Sequence, residues 1–330
     1  ETLTKDYPNE PLLYNISGAC YKEIGQLDAA ANSFEKAVTL KPDYAEAQYN
    51  LGVILRELGK VDAAIKSYEN ALAIKHAYPN VHNNLGNIFL ELSQLKAAAD
   101  HFEWAVAYNP EFDIAHNNLG STLLALGQMD AAVESYQKAL TVNPDYAEAH
   151  NNLGIALHRL GQVDAAVESY QKALTVNPDY AEAHNNLGNA FRELGQLDDA
   201  VKSYEKALTL KPDYSRAHNN LGIIFKQLGQ LDDAVECYEK ALAVNPDYAE
   251  AHNNLGNAFR ELGQLDDAVK SYEKALDLNP DYTYAHNNLG NVFKDLGQVD
   301  AAVECYEKAL AINPDFTGAQ NNLSNAKALK

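Results

Sequence analysis

Small residues recur in this chain at a strict interval of 34 residues. Glycine or serine occupies ten positions with this spacing: Gly18, Gly52, Gly86, Gly120, Gly154, Gly188, Gly222, Gly256, Gly290 and Ser324. A fixed period of this length is the signature of a repeat architecture, in which each unit buries its apolar face against its neighbours. The chain is therefore expected to be a linear array of repeats.

Counting the small residue as position 8 divides the chain into nine full repeats. They span 11–44, 45–78, 79–112, 113–146, 147–180, 181–214, 215–248, 249–282 and 283–316. Residues 1–10 then correspond to the tail of a preceding repeat, and residues 317–330 to the first helix of a partial one. Because both ends fall inside a repeat, we expect a fragment of a longer array or of a multidomain protein.

Each repeat has the pattern of two helices joined by a short turn. In repeat 181–214, Gly195 follows the first predicted helix and can take the left-handed conformation that ends it. Asp198 lies at the start of the second helix, where the helix dipole favours negative charge. Pro212 ends that helix because proline lacks a backbone donor. Proline holds this position 32 in eight of the nine full repeats, His76 being the exception.

Alanine occupies positions 20 and 27 of every full repeat, and position 24 is always Phe or Tyr. The alanines let two helices approach closely, and the aromatic ring fills the space that they leave. With the small residue at position 8 and proline at position 32, this pattern resembles the tetratricopeptide repeat over nearly the whole chain. The resemblance implies an all-α fold, a right-handed α-solenoid superhelix of tandem helix-turn-helix repeats, with an inner groove lined by the first helices.

Asparagine dominates the predicted groove. Since an α-helix turns by about 100° per residue, positions 2, 5, 6, 9, 12 and 13 of each first helix fall on one side, and these positions form the groove. Position 6 is Asn in nine of ten first helices, namely Asn50, Asn84, Asn118, Asn152, Asn186, Asn220, Asn254, Asn288 and Asn322. Position 5 is also Asn in nine, with Tyr49 as the exception, and includes Asn151, Asn185, Asn219, Asn253 and Asn287.

A side-chain amide carries both a donor and an acceptor, so it can pair with the peptide unit of any sequence. The pattern is similar to the asparagine ladder of the O-GlcNAc transferase superhelix, which implies residues that hold the backbone of a substrate. If first helices recur roughly every 10 Å and an extended strand rises about 3.3 Å per residue, one asparagine meets every third residue. We therefore predict a protein–protein interaction scaffold whose concave groove binds an extended peptide of a protein partner.

Two roles for these asparagines remain open at this point. Those at position 6 either face the peptide or hydrogen-bond to a neighbouring helix, as is common in tetratricopeptide repeats. Those at position 5 are less typical of the family, and we expect them to be exposed in the groove.

Charged and apolar residues complete the predicted groove. Its bases include Arg192, Lys226, Arg260 and Lys294, and ten acids with eight bases leave it at −2, against −20 for the chain. Such a near-neutral surface suits a peptide backbone better than a charged polymer. Apolar groove residues gather in repeats 3 to 5, at Leu90, Ile114, Leu124 and Ile155. They either form a patch that selects partner side chains or are ordinary surface scatter.

Several classes of function are disfavoured. The acidic balance argues against a nucleic acid or an anionic membrane as partner. The three cysteines form no CxxC pair, which argues against disulfides and fits a reducing, cytoplasmic location. Without an apolar run of 18 residues, no membrane insertion is expected.

Histidine recurs at position 4, as His82, His116, His150, His184, His218, His252 and His286. Whole repeats separate these residues, unlike the i, i+4 spacing of helical zinc ligands, so we predict that they serve packing and that no metal is bound. No nucleophile with an activating base and no glycine-rich phosphate loop is visible. The chain is therefore expected to have no catalytic residues and no cofactor, and not to be an enzyme.

Two alternative functions fit the same pattern. The chain could be the substrate-recruiting region of a larger bacterial glycosyltransferase, similar to O-GlcNAc transferase, or of another enzyme. It could also be a structural array that self-associates end to end, because an array cut inside a repeat exposes an apolar helix face.

Overall fold

The structure, a computed structural model, describes residues 5–329. Helices and short turns make up this whole range. Nineteen α-helices lie between Pro11 and Lys327. The first helices of the repeats are α1 Pro11–Glu23, α3 Ala45–Glu57, α5 Pro79–Glu91, α7 Asp113–Ala125, α9 Ala147–Arg159, α11 Ala181–Glu193, α13 Ser215–Gln227, α15 Ala249–Glu261, α17 Thr283–Asp295 and α19 Thr317–Lys327. The second helices are α2 Leu27–Leu40, α4 Val61–Ile74, α6 Leu95–Tyr108, α8 Met129–Val142, α10 Val163–Val176, α12 Leu197–Leu210, α14 Leu231–Val244, α16 Leu265–Leu278 and α18 Val299–Ile312.

The chain divides into two compact units, Glu1–Gly161 and Gln162–Lys330, so the division falls in the turn of repeat 147–180. Inside each unit, a first helix packs against the second helix of its own repeat and against that of the repeat before it. First helices of successive repeats also touch one another inside each unit. The architecture of each unit is therefore an all-α solenoid of stacked helix pairs, as the period predicts.

Glycine ends the first helix of most repeats in the predicted left-handed conformation. Gly195 has a φ of 74°, and its amide donates to the carbonyl of Arg192 at 3.0 Å. Ser93 takes the equivalent place in repeat 79–112 with a φ of 59°. The turn is thus set by local backbone chemistry, which repeats along the chain because the residue repeats.

The core of each repeat is an aromatic ring placed against a glycine. A Cβ atom at Gly188 would lie 2.7 Å from the ring of Tyr204, which is fully buried. Ala200 and Ala207 of the same second helix are fully buried as well. The prediction that small residues let the helices meet around a large ring is confirmed, and this close packing holds the two helices of a repeat together.

Within residues 5–329, every helix is too short or too polar to span a lipid bilayer.

Candidate functional site

Helical geometry places the predicted groove positions on one side of each first helix. We call this side the ladder face and define it as positions 2, 5, 6, 9, 12 and 13 of the first helices. Position 2 is mostly exposed, as at Glu148, Arg216 and Glu250. Position 6 is half-buried in every repeat where it is asparagine. The ladder face therefore has an outer layer of charged side chains over an inner row of amides.

Eight of the nine asparagines at position 5 are buried, and Asn321 of the terminal helix is exposed, so the expectation that these residues are exposed in the groove is wrong for all but the last. Asn151 and Asn185 are each 4% exposed, and Asn219 is fully buried. Asn253 and Asn287 are buried in the same way. Inside each unit, the physical reason is the next first helix, which covers position 5 and places a hydrogen-bond donor against it.

That donor is the position 6 asparagine of the following repeat. Its side-chain nitrogen donates to the side-chain oxygen of position 5 in seven pairs: Asn50 to Asn15 (3.0 Å), Asn118 to Asn83 (3.1 Å), Asn152 to Asn117 (3.1 Å), Asn220 to Asn185 (3.2 Å), Asn254 to Asn219 (3.0 Å), Asn288 to Asn253 (3.1 Å) and Asn322 to Asn287 (2.9 Å). Inside each unit the amides thus form a hydrogen-bonded ladder between successive first helices.

Position 9 supplies a second acceptor for the position 6 asparagine of the following repeat, a structural role that was not predicted from the sequence. The second amide hydrogen of Asn220 goes to the side-chain oxygen of Asn189 at 3.1 Å. Tyr204, at position 24 of the same repeat, donates its hydroxyl to that oxygen at 2.8 Å. The same arrangement joins Asn288 and Tyr272 to Asn257. The recurrence of asparagine at position 9 beside tyrosine at position 24 is the signal that could have revealed it.

These bonds decide which atoms of position 6 are left for a ligand. In Asn118 and Asn220 both amide hydrogens are used inside the fold, at position 5 and position 9 of the preceding repeat. No described residue donates to the Oδ1 atom of either side chain. The structural role of position 6 is therefore present, since the nitrogen binds a neighbouring helix, and the carbonyl oxygen remains able to accept a further hydrogen bond.

Bases at position 12 are paired with acids at position 13 of the next repeat. Lys226 contacts Glu261 at 2.7 Å, and Arg260 contacts Asp295 at 2.8 Å. For the other two predicted bases, Arg192 and Lys294, position 13 of the next first helix is not an acid but Gln227 and Leu329, respectively. Four bases of the ladder face, Lys22, Arg56, Lys226 and Arg260, are thus matched by an acid of the next first helix.

The predicted apolar residues all lie in the first unit and differ in exposure. Ile114 is 47% exposed at position 2. Leu90, Leu124 and Ile155 are half-buried. Ile114 is therefore the member of this group that offers most surface to a partner side chain.

The position 4 histidines bind the turn that precedes each first helix. The Nε2 atom of His116 lies 3.0 Å from the carbonyl oxygen of Pro110, and that of His184 lies 2.9 Å from the carbonyl oxygen of Pro178. A carbonyl only accepts, so Nε2 carries the proton. These histidines serve the fold, as predicted, and they do so by fixing the turn as well as by packing.

Metal binding and thiol chemistry have little support among the described residues. Among residues 5–329, no three His, Cys, Asp or Glu side chains lie close enough to hold a metal ion. Cys237 and Cys305 are buried, and burial raises the pKa of each thiol to about 11. Such thiols stay protonated at neutral pH and are poor nucleophiles.

Stacked helix pairs with a bonded row of amides define a helical-repeat protein. Models described as "TPR repeat" match residues 18–55, 52–93, 120–161, 156–191, 188–229, 224–259 and 256–297, and one described as "Tetratricopeptide repeat" matches 283–316. The chain belongs to the tetratricopeptide repeat family. Membership of this family indicates a role in protein–protein interaction.

Solved structures share the fold. The Cut9–Hcn1 hetero-tetramer of APC/C matches with a TM-score of 0.60 at 16% identity, over 96% of this chain and 76% of that chain. The pilF protein of Pseudomonas aeruginosa matches with a TM-score of 0.58 at 23% identity, over 66% and 97%. YrrB, described as a TPR protein with an unusual peptide-binding site, is 25% identical over 57% and 97%, with a TM-score of 0.48. No curated protein matches the chain.

Proposed function

We propose that this chain is a non-catalytic scaffold whose ladder face binds an extended peptide segment of a partner protein. The observation that carries the proposal is the row of half-buried position 6 asparagines. Their nitrogens are held by the fold, so each presents a carbonyl oxygen in a fixed place. A peptide N–H that donates to such an oxygen immobilises little additional side chain, which lowers the entropic cost of binding.

Hydrogen-bond energies limit the affinity of this mode. Each bond contributes about 0.5–1.5 kcal/mol net. Four carbonyls of the second unit, on Asn220, Asn254, Asn288 and Asn322, then contribute roughly 2–6 kcal/mol before the cost of association. The Asn288 oxygen also accepts from Asn287 at 3.5 Å and keeps one lone pair for a ligand. Binding no tighter than tens of micromolar is expected from the backbone alone. Side-chain contacts must supply the rest of the affinity and the selectivity.

Charge also favours a peptide backbone over a charged polymer. Lys226 and Arg260 are already paired with acids of the next first helix. A polyanion would have to compete with those carboxylates for the same bases. The N–H groups of an uncharged backbone can donate to the position 6 carbonyls without displacing any ion pair.

The ladder offers a matched pair of variants to test this. The double variant Asn220→Ala/Asn254→Ala removes two bonds of the ladder, the bond from Asn220 to Asn189 and two half-buried amides. The double variant Asn185→Ala/Asn219→Ala removes the same two ladder bonds from the buried side. Binding to an array of unstructured peptides is measured for both, at a temperature where circular dichroism shows both to be folded.

We expect the first variant to lose binding across many peptide sequences and the second to keep most of it. Equal loss in both would mean that the asparagines act only through the fold. Wild-type binding that neither variant alters would place the peptide elsewhere, for example on the second helices.

A further inference from the structure

The ladder is interrupted once in the first unit, at repeat 45–78. Tyr49 stands at position 5 and Val53 at position 9, where most other repeats have asparagine at one or both. A pocket of about 420 Å³ opens here on the ladder face. Its lining is Tyr49, Val53, Arg56, Glu57, Tyr68 and Asn84. We call it the Tyr49 pocket.

The pocket contains a hydroxyl group whose own hydrogen finds no acceptor among residues 5–329. Tyr68 is fully buried, and its oxygen accepts from the side-chain nitrogen of Asn84 at 3.2 Å. In repeat 181–214 the equivalent tyrosine, Tyr204, donates to Asn189 at position 9, but Val53 offers no acceptor in that place. No residue of the described range accepts from the Tyr68 hydroxyl.

Burial raises the pKa of Tyr68 to about 12, so the hydroxyl keeps its proton at neutral pH. A buried donor without a partner is unfavourable, and a ligand that supplies an acceptor gains from that. The wall beside it is aromatic and positioned by other rings, since the Tyr49 ring lies 5.3 Å from that of Tyr78 and 6.2 Å from that of Tyr68.

The two charged residues of the lining are already neutralised by partners outside it. Arg56 is paired with Glu91 of the next first helix. Glu57 lies 3.7 Å from Lys22 of the preceding one. A ligand therefore meets a lining with no free net charge. Because both charges are already paired, an anionic or cationic side chain would find no free ion-pair partner in the pocket.

We propose that the Tyr49 pocket receives a carboxamide side chain, glutamine or asparagine, from the bound peptide; this rests on the proposed function. The carboxamide oxygen accepts from the Tyr68 hydroxyl. The carboxamide nitrogen donates to the side-chain oxygen of Asn84, whose own nitrogen is turned to Tyr68. The methylene groups lie against Tyr49 and Val53. An apolar residue of similar size would leave the Tyr68 hydroxyl unpaired.

The test uses host peptides of alanine and serine that carry one guest residue at each position in turn. The guests are Gln, Asn, Glu, Leu and Lys, and binding to the full chain is measured by fluorescence anisotropy. Tyr68→Phe removes the hydroxyl, and phenylalanine occupies the same position in other repeats, as Phe34 and Phe102. Tyr136→Phe is the matched control, because the Tyr136 hydroxyl already donates to Ser121 at 3.1 Å.

The wild-type chain should bind a glutamine or asparagine guest about 2- to 10-fold more tightly than the leucine guest, which corresponds to one neutral hydrogen bond. Tyr68→Phe should abolish that preference, and Tyr136→Phe should keep it. Peptide binding without any guest preference, still lost in Asn220→Ala/Asn254→Ala, would overturn the pocket and leave the proposed function intact. Absence of binding by the wild-type chain to every peptide would overturn both.

Discussion

Two tyrosines at the same place in the repeat differ in one hydrogen bond, and this gives a direct measure of what position 9 contributes to stability. Tyr272 donates to Asn257 at 2.7 Å. Tyr238 packs in the same cluster as Ile223 instead, and its hydroxyl is buried with no partner among residues 5–329. Both rings are fully buried, so the comparison isolates the hydroxyl.

Phenylalanine should therefore have opposite effects at the two sites. Tyr272→Phe removes a bond with a net value of about 0.5–1.5 kcal/mol and should destabilise by that amount. Tyr238→Phe removes an unsatisfied buried hydroxyl, which costs the fold about 1–3 kcal/mol, so this variant should be neutral or more stable than the wild type. We expect the two variants to differ in stability by at least about 0.5 kcal/mol.

The assay has to be local, because a repeat array can open one part at a time. Hydrogen exchange measured by mass spectrometry reports the opening free energy of α14 in Tyr238→Phe and of α16 in Tyr272→Phe. Faster exchange in α16 alone would support the reasoning. Equal acceleration at both sites would refute it, since ring packing rather than hydrogen bonding would then decide the effect.

Two further predictions concern the packing of the repeats and their response to pH. Gly188→Ala should destabilise the protein by about 1–3 kcal/mol because its Cβ would lie 2.7 Å from the Tyr204 ring. Gly195→Ala has open space around it but a φ of 74°, so it should cost only about 1–2 kcal/mol of backbone strain. Urea unfolding of both variants compares these costs, and a Gly188→Ala variant as stable as the wild type would contradict the first prediction. Burial and the neighbouring His101 lower the pKa of His82 from 6.5 to about 4, so the unfolded state binds more protons between these values and stability falls as pH drops from about 6.5 to 4. We expect the free energy of unfolding to fall by about 2 kcal/mol between pH 7 and pH 5 through this group. Urea unfolding of His82→Phe at the two pH values should show a clearly smaller fall. An unchanged fall would mean that another group titrates.

The helix-pair fold could be predicted from the sequence because its determinants are local and repeated. Gly188, Ala200, Tyr204 and Ala207 lie within one repeat, and the contacts among them close within that repeat. Left-handed Gly195 needs only its own backbone and one carbonyl three residues earlier. Interactions of such short range can be worked out from spacing alone.

The candidate site was predicted only in part. Helical periodicity put Asn219 and Asn220 on one side of their helix, and that side is the ladder face. Periodicity does not say which of two adjacent amides a neighbouring helix will cover. The stacking of the next first helix buries Asn219 and leaves Asn220 half-buried. A bond between residues 35 apart, such as Asn254 to Asn219, leaves no signature within one repeat.

The sequence by itself thus determined the period, the helix pairs, the glycine and proline turns and the side of the helices that carries the amides. The tertiary structure decided which amide is buried, which of its atoms is engaged and where the ladder gives way to the Tyr49 pocket. The physical reason is that an asparagine carries a donor and an acceptor on one planar group, and only the helix stacked beside it selects which of the two the fold uses.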